Sequence, residues 1–216
     1  MRKTALLSAC LLALSVLGFA QSARPIPQAP TITYLEGTVT VDGAEAAIGD
    51  PVPLGAVVVT AGSSVAEIAF NRRNAVRLAE NTTFVFNPAN MQTGSELRQG
   101  ALTLVLKSLV ATATGDSFLV RTPSAVAGVR GTSFFLKVES PTSTYVCACN
   151  GDVHVLGVDG SSLRDLAASH HKAVRIEGTG GTPQVTDSTL LYHSDADLQN
   201  VATDVGVTID WSQIDR

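Results

Sequence analysis

Cys147-Ala148-Cys149 is the sharpest chemical feature of this 216-residue chain. Residues two apart on a β-strand project from the same face, so both sulfurs would point one way. The histidines are His154, His170, His171 and His193. Thiolates and imidazoles together suit zinc or copper. One reading is a metal centre built from Cys147, Cys149 and two histidines among His170, His171 and His193. Adjacent residues on a strand face opposite ways, so at most one of His170 and His171 need ligate. The spacing is not that of a zinc finger. Two other readings stay open. The cysteines could be small hydrophobes in or beside the core, with the histidine pair in solvent. They could also carry disulfide chemistry, although a bridge between them would span a Cα separation of about 7 Å, at the edge of disulfide geometry. His154 sits between Val153 and Val155 on a predicted strand, so it is expected to face outward.

Arg130 is the candidate ligand-binding residue. Flanked by Val129 and Gly131, its guanidinium fork could meet a carboxylate or phosphate. The alternative is that it bonds loop carbonyls and holds its own turn. Gly128 and Gly131 are read as positions needing unusual backbone angles or close packing. There is no Gly-x-Ser-x-Gly, no His-Glu-x-x-His and no phosphate-cradling glycine loop. Asp195 and Asp197 are read as first-turn helix charges rather than a catalytic pair. The chain is expected not to be an enzyme.

These residues must be positioned by β structure. Val, Ala, Leu, Thr and Gly are frequent, a mix that favours strands and turns. The net charge is −4 and no basic patch exists, which argues against nucleic acid. Residues 32–41 alternate, and Asp42-Gly43 is a strong hairpin turn. Further strands are predicted at 56–60, 65–70, 75–78, 83–86, 101–106, 118–121, 134–138, 144–149 and 153–156, with Leu97 in another. Turn signals recur about every 8–12 residues. The expected fold is mainly β: a sandwich- or solenoid-like stack of short strands with a C-terminal helix. Glu36-Gly37-Thr38-Val39-Thr40-Val41 and Asn150-Gly151-Asp152-Val153-His154-Val155 share an x-Gly-x-Val-x-Val pattern, either as edge strands of related halves or as generic hairpin sequence.

Gly178 to Pro183 reads as a break. A helix follows near 195–205, N-capped by Ser194 and closed by Gly206. Leu198, Val201, Ala202 and Val205 give it one apolar stripe to dock on the β domain. At the other end, Arg2 and Lys3, the apolar run from Ala5 to Val16 and Gly18-Phe19-Ala20 read as a signal peptide, residues 1–20. Cys10 lies too early for a lipobox. Residues 21–30 form a Pro-rich linker, extended or disordered. No other apolar run approaches about 18 residues. The expected product is periplasmic or secreted, with no stable membrane span after cleavage.

Thr122-Pro123-Ser124-Ala125-Val126-Ala127-Gly128-Val129-Arg130-Gly131-Thr132, followed by Ser133-Phe134-Phe135-Leu136-Lys137-Val138, resembles the signature of the FecR domain family. The resemblance covers about residues 32–158. Leu35-Glu36-Gly37 looks like its opening. Gly49-Asp50 to Gly55, Thr60-Ala61-Gly62 and Val76-Arg77-Leu78 look like its middle, and Gly151-Asp152-Val153 its close. It implies a β domain of the bacterial cell envelope, at 31–158, with 159–216 as a C-terminal extension. It also implies a non-catalytic module that binds an envelope protein, a glycan or a signal ligand. The founding type is a transmembrane regulator that carries an iron-uptake signal to a sigma factor. Only Met1 to Lys3 precede the hydrophobic run here, so direct sigma-factor control is not expected. Some FecR-like envelope proteins also resemble this chain in a Cys-x-Cys before the closing strand and a His pair in the tail. A metal-binding or metal-sensing role is the alternative function.

Overall fold

The computed structural model describes residues 29–88, 94–107, 118–179 and 182–215, with the backbone but not the side chain of Arg130. The predicted signal peptide and most of the predicted linker lie outside the described residues. The strands are β1 (Thr31–Glu36), β2 (Val39–Val41), β3 (Ala44–Glu45), β4 (Ala56–Thr60), β5 (Val65–Phe70), β6 (Asn74–Leu78), β7 (Thr83–Phe86), β8 (Ser95–Leu106), β9 (Phe118–Arg121), β10 (Val126–Ser140), β11 (Ser143–Leu156), β12 (Ser162–Ala168), β13 (Lys172–Glu177) and β14 (Gln184–Ser188), followed by the helix α1 (Asp195–Asp204). All belong to one sheet, and β8 with β9 is its one parallel pairing among the described residues.

Strand alternation divides the apolar side chains between two cores. Phe70, Phe84, Phe86, Phe118, Phe134, Leu136, Val146 and Ala148 enter the larger one. Phe70 meets Phe86 edge to face at 5.2 Å. The neighbours one position along, Ala69, Ala75, Phe135, Tyr145, Cys147 and Cys149, enter the second. Leu198, Val201 and Ala202 of α1 cover that second core, joined by Val205, Val207 and Ile209. Burying each Val or Leu there stabilises the fold by about 1.5–3 kcal/mol, which explains why the helix stays docked. Ser194 caps α1 and Asp197 closes the capping box, while Gly206 turns the chain away at φ 66°.

Pairing registers place seven residues in one line across the sheet. Tyr34 faces Glu67, Glu67 faces Arg77, Arg77 faces Thr103, Thr103 faces Phe135, Phe135 faces Cys147 and Cys147 faces Ala173. Phe135, Cys147 and Ala173 lie in the core beneath α1, so this transverse line runs under the helix.

The structure departs from the sequence reading in four places. Residues 32–41 form two strands rather than one, because Gly37 (φ 71°) breaks the run; β1 then pairs with β5 and β2 with β4. Most of the Thr122–Thr132 signature is strand, not turn, since β10 and β11 are long partners joined by a short turn at Pro141-Thr142. Gly37 lies between strands whereas Gly151 lies within β11, which is flanked by β10, β12 and β13, so the two echo segments are not equivalent edges. Finally, the sheet does not stop at 158. Strands β12, β13 and β14 extend it through residues assigned above to the extension, because β11 offers free backbone on the side away from β10.

Candidate metal centre

Cys147 and Cys149 are both fully buried on the face of β11 that looks toward α1. Alternation alone sends both sulfurs there. The histidines arrive from two other segments. His171 sits in the turn between β12 and β13 with φ 46°, and its backbone N–H donates to Cys149 O at 3.1 Å. His193 lies just before the Ser194 cap of α1, after Tyr192 with φ 68°. Positive φ at two non-glycine residues is local strain of the kind that surrounding structure must enforce.

The result is a four-residue cluster. The Sγ atoms of Cys147 and Cys149 and one ring nitrogen each of His171 and His193 lie within 4.8 Å of one another. Cys147 Sγ is 3.6 Å from His171 Nδ1, and Cys149 Sγ is 3.3 Å from His193 Nε2. A tetrahedral zinc with ordinary Zn–S and Zn–N bonds separates sulfur from nitrogen by about 3.6 Å. The two thiols are not joined to each other.

The outer nitrogens of both rings are already committed. His193 Nδ1 donates to Leu191 O at 2.8 Å. His171 Nε2 donates to Asp195 Oδ1 at 2.6 Å. A carbonyl and a carboxylate can only accept, so each bond makes the outer nitrogen a donor and turns the other nitrogen toward a cysteine. Stacking holds both rings: His193 lies on Phe135 at 4.3 Å and 12°, and His171 on Trp211 at 5.4 Å and 28°.

Electrostatics favour a thiolate. The hydrogen bond from Cys149 draws Cys147 down to about 4 against its burial, and His171 and His193 add to this. Burial pushes Cys149 well up, so within the pair the negative charge belongs to Cys147. Burial opposes charge on His171, but its bonds to Cys147 and Asp195 outweigh that and raise it. The bond from His171 in turn lowers Asp195. Among these groups only Cys147 is poised to lose its proton; Cys149 and His171 hold theirs, so a divalent metal bound here would displace protons from them.

His170 stays out of the four-ligand cluster. Its side chain is half exposed and its Nε2 lies 3.0 Å from Asp195 Oδ2. Since His170 and His171 stand at a turn rather than on a strand, both reach Asp195, and the opposite-faces argument does not apply to them. His154 is exposed and bonds Asp165 at 2.8 Å. Arg130 lies in strand β10 opposite Asp152, and its side chain is outside the described residues. The sequence reading missed Asp195 as the partner of His171 and Trp211 as its stacking surface. The helix-start charge was visible, but no local signal ties residue 195 to residue 171.

Residues 56–154 match the model of the FecR protein family. No curated protein matches the chain. Among solved structures, the chain is similar to an anti-sigma factor candidate from Parabacteroides distasonis ATCC 8503, crystallised at 1.65 Å and again at 2.50 Å resolution. Both comparisons give 18% identity and a TM-score of 0.46 over 61% of this chain, which spans 59% of the length of that one.

Proposed function

We propose, from the match of residues 56–154 to the FecR family, that this chain is an exported envelope module built around one bound metal ion. The ion is zinc, held by Cys147, Cys149, His171 and His193. One observation carries the reading: two thiols and two imidazoles converge while the second nitrogen of each imidazole is already bonded outward. Metal-ligating histidines donate their second ring nitrogen outward in this way. Two sulfurs and two nitrogens in a closed set favour tetrahedral zinc over metals that prefer planar or oxygen-rich sites.

Four protein ligands leave no open position, so the ion's role is structural rather than catalytic. It joins β11, the turn before β13 and the segment entering α1. The remaining surface is left to recognise an envelope protein or glycan. The test is the metal content of residues 21–216, purified without chelator under reducing conditions. The expected result is close to one equivalent of zinc, lost in the Cys147→Ser/Cys149→Ser variant. A metal-free protein of unchanged stability overturns the proposal.

A further inference from the structure

A cleft of about 590 Å3 lies between α1 and the sheet face that carries the transverse line from Tyr34 to Phe135. That volume is within the range of roughly 300–1,000 Å3 of small-molecule sites. Its contents point to one kind of occupant. Tyr34, Phe135 and Tyr192 give it aromatic walls, and Tyr192 is 53% exposed. Thr103 and Asn200 also line it, and neither side chain has a hydrogen-bond partner among the described residues. For Thr103 this matters most, because the residue is only 8% exposed, and what remains open faces the cleft. A ligand hydroxyl seated in the cleft could give the Thr103 hydroxyl a bond that no side chain among the described residues supplies.

The groups in and around the cleft carry charges of both signs. Arg77 lies 2.9 Å from Glu67 and 3.0 Å from Asp204. Lys137 stands over the Tyr192 ring at 5.0 Å, while Asp197 spends one oxygen on Ser194 and its other oxygen has no partner among the described residues. An anionic ligand would meet Asp197 and Asp204. A cation would meet Arg77 and Lys137. A purely apolar ligand would leave Thr103 and Asn200 unpaired. A neutral ring with apolar C–H faces and many hydroxyls matches all three features: it can lie against aromatic walls, accept from Asn200 and Arg77, and donate to the free carboxylate oxygens.

We infer that this cleft is a binding site for a neutral saccharide, with Thr103 and Asn200 as the residues that read its hydroxyls. The site goes beyond the zinc reading and does not depend on it, although His193 lines the cleft as well as facing Cys149. The experiment uses the mature chain and three neutral probes, chitotriose, cellotriose and maltotriose, with binding read by calorimetry and by NMR shifts. At least one trisaccharide should bind, and Thr103→Val and Asn200→Ala should each weaken it by about tenfold, the loss expected for one unmade bond to a polar group. Both substitutions remove groups without partners, so fold and metal content should stay as in the parent. Metal content measured on the same samples separates failure of this site from failure of the zinc site. The inference is overturned if none of the three sugars binds, if binding survives both substitutions, or if a sulfated sugar or a lysine peptide binds in preference.

Discussion

His171 and Asp195 are joined by a 2.6 Å bond from ring Nε2 to carboxylate Oδ1, which ties the turn before β13 to the first residue of α1. The same bond aims His171 Nδ1 at Cys147. Asp195 is therefore a positioning residue for the cluster as well as a favourable charge at the helix start. Asp195→Asn should keep a single metal equivalent but bind it roughly 10–100-fold more weakly. Competition against a chromophoric chelator measures this, and unchanged affinity would remove Asp195 from the site.

The two neighbouring histidines should behave differently. His170→Ala removes a half-exposed ring bonded only to Asp195 on its polar side, so metal stoichiometry should be unchanged. His171→Ala and His193→Ala should each lose most of the bound metal. Stoichiometry by elemental analysis decides it; equal loss in all three variants would mean that His170 ligates.

Glu67 predicts a pH dependence. It is fully buried, and burial raises it from 4.5 to about 7 although Arg77 pulls the other way. Below pH 4.5 both folded and unfolded chains hold the proton, and the contribution to stability is fully present. As pH rises toward 7 the unfolded chain ionises first, so folded stability falls across that window, by about 3 kcal/mol in total. Glu67→Gln should flatten this part of the profile. Denaturant midpoints from pH 4.5 to 7.5, taken with chelator present to exclude metal effects, test it; a parallel slope in the variant assigns the dependence to other groups.

Gly151 should resist substitution. Its φ is 123°, and an added Cβ would stand 2.7 Å from Thr132 Oγ1 and 3.0 Å from the carbonyl of Asp215. Next to it, the buried Asn150 amide donates to Ser169, Asp210 and Gln213 carbonyls, so the C-terminal tail is seated at this bulge. Gly151→Ala should cost about 1–3 kcal/mol, read as a lowered unfolding midpoint. An unchanged midpoint would show that the tail yields freely.

Much of the local structure follows from near neighbours in the chain. The limits of β4, β5, β7 and β9 coincide with the strands predicted there, because apolar and β-branched runs and the turn residues that bound them are local signals. The helix was equally legible, with Ser194, Asp195, Asp197 and the Leu198-Val201-Ala202 stripe all local signals. That Cys147 and Cys149 share a face also follows from strand geometry alone. The longer β10 and β11 were harder to see, since Gly128, Gly131 and Gly151 suggest turns yet sit within paired strands, two of them at positive φ in bulges. What only the tertiary structure decided is which groups meet. His171 lies 24 residues from Cys147 and His193 lies 44 from Cys149, and their approach depends on how β11, β13 and α1 are stacked. The line from Tyr34 through Arg77 and Thr103 to Cys147 depends on pairing registers set by distant strands. Alternation tells each residue which side of its own strand to take, whereas register and turn geometry, set by the packing of the whole sheet, determine its neighbours.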